Sequence, residues 1–289
     1  MDGWDGRGLV STGWLEAHLE DPDLRIFDVT THLRPATPGP YRIESGRDDY
    51  QAAQIPGAAF LDLAADLSDP DSPLNFTHLP ADRLAMALGA AGVGPGSRVV
   101  AYSTTTPMWA TRFWWMLRAA GFDAAAVLDG GFGAWTAEGR PTEAGDSRYA
   151  PATLTLADRS GAWADKADVL AAIEDGAVCT INALSPSVHS GASAMNYGRK
   201  GHIAGSVNVP YAALLTEDGR YRGDSELRHL FEAVGALQRP RVICYCGGGI
   251  SATMDALALT RLGHPSVAVY DGSMSEWTRD PALPMETGA

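Results

Sequence analysis

Arg241-Val242-Ile243-Cys244-Tyr245-Cys246-Gly247-Gly248-Gly249-Ile250-Ser251-Ala252-Thr253 joins an apolar run to a cysteine, three glycines and the start of a second apolar run. Arg241 to Tyr245 reads as a buried strand, and Met254 to Leu262 reads as a helix. A glycine-rich loop between strand and helix can turn successive backbone N–H groups toward one point. The helix behind it adds the positive end of its dipole. Cys246 stands at that point, which predicts a stabilised thiolate with a lowered pKa. The bland alternative is a buried cysteine ahead of an ordinary glycine turn. The rest of the chain decides between the two.

The chain has 289 residues, 45% of them hydrophobic and 20% charged, enough for two domains of ordinary size. Its net charge of −13 argues against nucleic acid or an anionic membrane surface as partner. Three cysteines make no disulfide framework, and Cys179 and Cys244 lie inside apolar stretches where a small buried hydrophobe is expected. No His/Cys set completes a tetrahedral metal site, so neither metal nor cofactor is expected. The N-terminal residues show no apolar signal core, and no apolar run approaches a membrane span, so a reduced, cytoplasmic setting is expected.

Short apolar runs alternate with helical patterns along the whole chain, which predicts an α/β fold with mainly parallel sheets flanked by helices. The first half offers a capped helix after Ser11 or Thr12, strands at Leu24–Val29, Ala59–Leu63, Arg98–Tyr102 and Ala124–Leu128, and a loop over 31–46. It also offers helices over 48–54 and 80–91 and from Trp109 to Ala120. Trp109, Trp114 and Trp115 are expected to serve packing. The same order recurs after a polar stretch: a helix from Trp163 to Glu174, a strand over 178–183, a helix over 225–234, and the strand before Cys246. Asp129 and Asp271 are 142 positions apart, Ser103 and Cys246 are 143, and Ile55 and Ile203 are 148. Three ordered landmarks at a near-constant offset indicate a duplicated domain. The expected boundaries are 1–140 and 158–289, joined by an exposed linker over 141–157.

These landmarks resemble the two-domain rhodanese-type sulfurtransferases. The resemblance rests on Leu9–Leu15, Ile55-Pro56-Gly57-Ala58, Leu67–Leu74 and Leu128-Asp129-Gly130-Gly131 in the first half. In the second half it rests on Gly201–Pro210, Tyr245–Ala252 and Tyr270-Asp271-Gly272-Ser273. It implies tandem rhodanese-like domains, with Ser103 marking a catalytically silent first domain and Cys246 the working second one. Cys246 would take a sulfane sulfur from a small donor as a persulfide and pass it to a thiol or cyanide-like acceptor, or to an acceptor protein. The backbone of Gly247, Gly248, Gly249, Ile250 and Ser251 would hold the persulfide. Ser251 or Thr253 adds a hydroxyl donor or caps the helix. His202 and Asp271 are expected to be structural, Asp271 fixing its own turn.

The loop carries no cation and looks nearer the 3-mercaptopyruvate type than the thiosulfate type. Position 252 is alanine where the related phosphatases need an arginine. The family's donor-binding arginine falls at Leu184, its Ser/Thr two after the cysteine at Gly248, and its first-domain histidine at Gln54. Arg199 is the expected replacement anion clamp, with Lys200 beside it and Arg47 facing from the first domain. The missing arginines also keep open a biosynthetic sulfur carrier fed by a protein persulfide. A non-catalytic binding module is the third alternative.

Overall fold

The computed structural model describes Trp4, residues 7–36 and residues 41–288. Two five-stranded parallel sheets form its centre. In the first, the strands lie side by side in the order Leu9–Val10, Ala125–Leu128, Arg98–Tyr102, Leu24–Asp28 and Ala59–Phe60. In the second the order is Trp163–Ala164, Val267–Tyr270, Arg241–Tyr245, Val178–Asn182 and Val207–Asn208. The chain visits the five places of each sheet in the same succession, so the duplication read from the offsets is a duplication of topology. Register follows it: Asp28 lies opposite Tyr102 in the first sheet and Asn182 opposite Tyr245 in the second. The central strands are unbroken apolar runs because helices cover both faces of a parallel sheet.

Several elements depart from expectation. The edge strands Leu9–Val10 and Trp163–Ala164 are two residues long, too short to show a period. The helix expected from Trp163 begins at Lys166, because Asp165 and Asp168 bond each other's backbone N–H in a capping box. The stretch expected as loop holds an antiparallel hairpin, Thr31–Arg34 with Arg42–Ser45. The segment 141–157 is mostly exposed but strapped to the first domain. Gln54 and Glu143 exchange backbone hydrogen bonds of 2.8 and 3.0 Å, and the Ala152 N–H donates to the Gly89 carbonyl at 2.8 Å.

The two domains meet in an approximately two-fold manner. Helix Met108–Ala119 packs on helix Ala252–Arg261, and the hydroxyls of Thr111 and Thr253 touch at 2.8 Å. Asp129 accepts the Tyr221 N–H at 2.8 Å, and Asp271 accepts the His78 N–H at 3.0 Å. Each aspartate, just past a sheet strand, thus holds the other domain's backbone. Asp271 does more than fix its own turn. Trp109, Trp114 and Trp115 are buried in the core, as their packing role requires.

Candidate active site

Cys246 follows the central strand Arg241–Tyr245 of the second sheet, and helix Ala252–Arg261 begins six residues later. The loop between them is built on a serine that the sequence reading quoted in a landmark but gave no role. Ser273 is fully buried with φ +48°, a left-handed conformation uncommon for a serine. Its hydroxyl accepts the N–H groups of Cys246 and Gly249, both at 3.1 Å, and donates to the Tyr270 carbonyl at 2.7 Å. Ser275 donates its hydroxyl to the Gly247 carbonyl at 2.7 Å. Carbonyls are thereby drawn outward, while the N–H groups of Gly247, Gly248, Ile250 and Ser251 find no acceptor among the described residues. Those free donors, with the helix N-terminus behind them, suit negative charge at the Cys246 sulfur.

Two glycines are required for steric reasons. Gly249 has φ +74°, and a Cβ there would meet the Asp271 carbonyl oxygen at 2.6 Å. At Gly247 a Cβ would lie 2.1 Å from Cζ and Oη of Tyr197, so the phenol end of that ring rests directly on the loop.

The first domain supplies the loop's back wall. Arg112, 1% exposed, donates to the Gly249 carbonyl at 3.1 Å and to the Phe76 carbonyl at 2.5 Å. Its guanidinium pairs with Asp271 at 2.6 Å and lies over the Trp163 ring, 4.8 Å from the centroid. Asp271 also meets His78 Nδ1 at 2.9 Å. Burial alone would raise the Asp271 carboxyl; Arg112 and His78 outweigh it and hold it at about 2. At the corresponding place in the first domain, the Thr105 N–H donates to the Ser103 hydroxyl at 3.2 Å. The Phe132 N–H donates to the Ser103 carbonyl at 3.1 Å, as the Met274 N–H does to that of Cys246. The frame is shared; the open ring of N–H groups belongs to the cysteine loop.

Cys246 opens on a cavity of about 230 Å³. The first domain contributes Leu33, Tyr41, Phe76 and Met108; the second contributes Leu184, Val188, Met195, Tyr197 and Tyr211. Burial, and after it the nearness of Cys246, push the phenols of Tyr41 and Tyr197 above their usual range, so both remain hydrogen-bond donors. Cys179 and Cys244 take no part: burial pushes the Cys179 thiol up to about 11 and that of Cys244 far above its usual value. Among the described residues, no group of three His, Cys, Asp or Glu side chains is placed to hold a metal ion.

Of the residues singled out from sequence, Cys246, Gly247, Gly248, Ile250 and Ser251 line this cavity. Gly249 forms its rear, against Asp271 and Arg112. Arg199, Lys200 and Arg47 do not line it. Arg199 turns inward and donates to the carbonyls of Asp280 and Leu283 at 3.1 and 2.9 Å. Arg47 pairs with Asp146 at 3.6 Å and lies over the Phe60 ring, 4.7 Å from the centroid. Lys200 is exposed. Ser251 makes no capping hydrogen bond, and the Thr253 hydroxyl donates to the Ile250 carbonyl at 2.7 Å. Arg112 carried one readable signal, a lone charge in an apolar helical run, which demands a buried partner. Tyr41 and Tyr197 sit in irregular segments and carried none.

The family model described as Rhodanese-like domain matches residues 11–138 and again 168–280. The 3-mercaptopyruvate sulfurtransferase of Escherichia coli strain K12 is 32% identical over 281 residues, which cover 96% of this chain and 97% of the relative. The thiosulfate sulfurtransferase of Rattus norvegicus is 33% identical, covering 94% of this chain and 92% of the relative. The crystal structure of SseA from Escherichia coli superposes with a TM-score of 0.80 at 29% identity, covering 92% of this chain and 98% of that one.

Proposed function

Since the chain belongs to the rhodanese-like family, in its two-domain sulfurtransferase branch, we propose that it carries sulfane sulfur on Cys246. The sulfur comes from a small donor of the 3-mercaptopyruvate or thiosulfate class and passes to a thiophilic acceptor. The observation that carries this reading is a cysteine at the head of a glycine loop whose N–H groups at Gly247, Gly248, Ile250 and Ser251 find no acceptor among the described residues, lining a cavity in which Cys246 is the only thiol.

The Cys246 thiolate attacks the outer sulfur of the donor, and the donor's bond to that sulfur breaks with its electron pair leaving on the donor. The persulfide sulfur then lies among the N–H groups of Gly247, Gly248, Ile250 and Ser251, which favour its negative charge without reorganising. An acceptor attacks that sulfur and restores Cys246. Both half-reactions use one site in turn, so donor and acceptor should give parallel double-reciprocal lines in steady-state assays. Intersecting lines would argue against a covalent carrier. The first domain serves the site through Arg112, Phe76 and Tyr41 and needs no nucleophile of its own.

The Gly247–Tyr197 approach gives a second expectation. Gly247→Ala forces the Tyr197 phenol out of its place and should lower kcat/KM by roughly ten- to a hundredfold. The thermal midpoint should barely move, because the displaced ring borders a cavity. An unchanged kcat/KM would remove this contact from the site.

Three free cysteines suit a reducing, cytoplasmic setting, which belongs to this proposal. No helix among the described residues is long and apolar enough to cross a membrane.

A further inference from the structure

A separate cavity, of about 340 Å³, lies at the opposite end of the second sheet from Cys246. Arg241 and Val267 open two neighbouring strands and line it, whereas Cys246 follows the far end of the first of these strands. The five residues Arg241–Tyr245 put about 16 Å of strand between the two places. Arg118 reaches the cavity from the first domain, Arg159 and Ser160 from the chain that runs between the two sheets, and Arg241 from the second domain. Among the described residues, three arginines and no aspartate or glutamate line it, in a chain of net charge −13. Nearby carboxylates do not saturate these arginines. Arg118 and Arg159 share one, Asp123, at 3.1 and 2.7 Å. Arg241 stands 3.7 Å from Asp168, beyond hydrogen-bond length. Burial, and after it the Arg159 charge, lower the Arg118 guanidinium from its ordinary value, while Asp123 acts the other way. The backbone adds donors. Arg159-Ser160-Gly161-Ala162 is a turn closed by the Ala162 N–H on the Arg159 carbonyl at 3.2 Å, with Gly161 at φ +77°. The N–H groups of Ser160 and Gly161 find no acceptor among the described residues. Helices Met108–Ala119 and Ala252–Arg261 both end beside the cavity, and a helix C-terminus ordinarily favours cations. Here the last carbonyls are occupied. Those of Ala119 and Ala120 accept from Arg159 and Ala157, and those of Leu259 and Thr260 accept from His264 and Gly263.

We propose that this cavity binds a small phosphate-bearing anion, a phosphate monoester or free phosphate, and that the bound ion ties the two domains together. An arginine fork pairs two N–H groups with two oxygens of one anion. A phosphate presents enough terminal oxygens for three guanidiniums and the turn N–H groups to share it. A carboxylate, with two oxygens, cannot serve them all. Asp123 is 60% exposed, so its pairs with Arg118 and Arg159 are of the weak surface kind and yield to a dianion at little cost. The volume stands at the lower end of small-molecule sites, which leaves room for a short organic body beside the phosphate. The site is independent of the Cys246 loop and of the sulfur-transfer reading.

Isothermal titration calorimetry of the full chain at fixed ionic strength tests it with glycerol 3-phosphate, inorganic phosphate and succinate, a dianion without the tetrahedral head. Both phosphates should bind saturably at one site, and succinate at least about tenfold more weakly, the equivalent of about 1.4 kcal/mol. Tighter binding of glycerol 3-phosphate identifies a monoester as the ligand, and equal or weaker binding identifies the free ion; either result supports the site. Arg118→Gln and Arg241→Gln, one from each domain, should each weaken binding by at least about tenfold. Arg241→Lys should lose nearly as much, because an ammonium keeps the charge without the fork. Arg148→Gln, at an exposed pair elsewhere, should change nothing. Thermal midpoints without ligand check that each variant folds, and Arg159→Gln, on the turn between the sheets, carries the same test if a helix or strand variant does not. Phosphate should raise the wild-type midpoint and leave that of the glutamine variants where it was. No saturable binding, succinate held as tightly as phosphate, or phosphate binding that survives in the glutamine variants and so lies elsewhere, the Cys246 loop included, would overturn the proposal.

Discussion

Arg112→Met is expected to destabilise the protein by about 3–5 kcal/mol, the usual cost of breaking a buried ion pair from one side. Arg112 is 1% exposed, donates hydrogen bonds to the carbonyls of Phe76 and Gly249, and pairs its charge with the carboxylate of Asp271. Methionine fills the volume but leaves Asp271 facing His78 alone. The carboxyl, held at about 2 by Arg112 and His78 against its burial, would then rise toward protonation. Activity should fall as well, because the Gly249 carbonyl loses the donor that holds the rear of the loop. Arg112→Lys should rescue little, since one ammonium cannot reproduce a fork that spans three partners. Urea denaturation monitored by far-UV circular dichroism checks the first effect. A loss below about 1 kcal/mol, the range of an exposed pair, would show that this contact does not join the domains as described.

Asp28→Asn is expected to work in the opposite direction and to stabilise the protein at neutral pH. Asp28 is fully buried; Oδ1 accepts from the Thr30 N–H at 2.8 Å and the Thr30 hydroxyl at 2.5 Å. Oδ2 is buried without a well-aligned hydrogen bond, and the Tyr102 hydroxyl is the polar group that interacts with this carboxyl from the neighbouring strand. Burial raises the carboxyl from 3.8 to about 6, with the Thr30 bonds and then the Tyr102 hydroxyl pulling the other way. The second domain shows what an amide does in this place. Asn182 accepts the Leu184 N–H at 2.8 Å through Oδ1 and donates to Tyr245 Oη at 3.0 Å through Nδ2.

The pH window for Asp28 follows from its two values. Below about 4 the carboxyl is protonated in folded and unfolded chains alike. Between about 4 and 6 the unfolded chain gives up a proton that the folded chain keeps, so stability declines as pH rises. Above 6 the penalty is complete. Asp28→Asn should therefore gain on the order of 2–3 kcal/mol at pH 7 and almost nothing at pH 4. Thermal midpoints of the two proteins across this range measure it. A variant less stable at pH 7, or a gain that does not depend on pH, would contradict the assignment.

Much of this was legible from residue order. Cys246 and its glycines, the paired aspartates and the near-constant offset led to two like domains and to the loop proposed to carry the sulfur. Central strands were readable because parallel sheets bury both faces and leave unbroken apolar runs. What escaped was tertiary. The two-residue edge strands carry no period, and the antiparallel strands Thr31–Arg34 and Arg42–Ser45 are four residues each in a stretch of sequence whose proline and glycine suggest a loop. Tyr41 and Tyr197 reach Cys246 from distant loops, and nothing local marks them. Arg199 was selected for its charge beside a flanking loop, but the carbonyls of Asp280 and Leu283 engage its guanidinium. Ser273 escaped because a serine with positive φ is invisible in sequence; its counterpart Gly131 has φ +57° and is the residue type that conformation favours.

The central claim is that Cys246 carries the sulfur, and intact-mass spectrometry tests it most directly. After brief exposure to thiosulfate, 3-mercaptopyruvate or inorganic polysulfide and rapid desalting, the protein should gain one sulfur, ~32 Da by persulfide chemistry. Thiol treatment should remove it, and Cys246→Ser should never acquire it while Cys179 and Cys244 remain. No gain with any of the three donors, or the same gain in Cys246→Ser, would contradict the account.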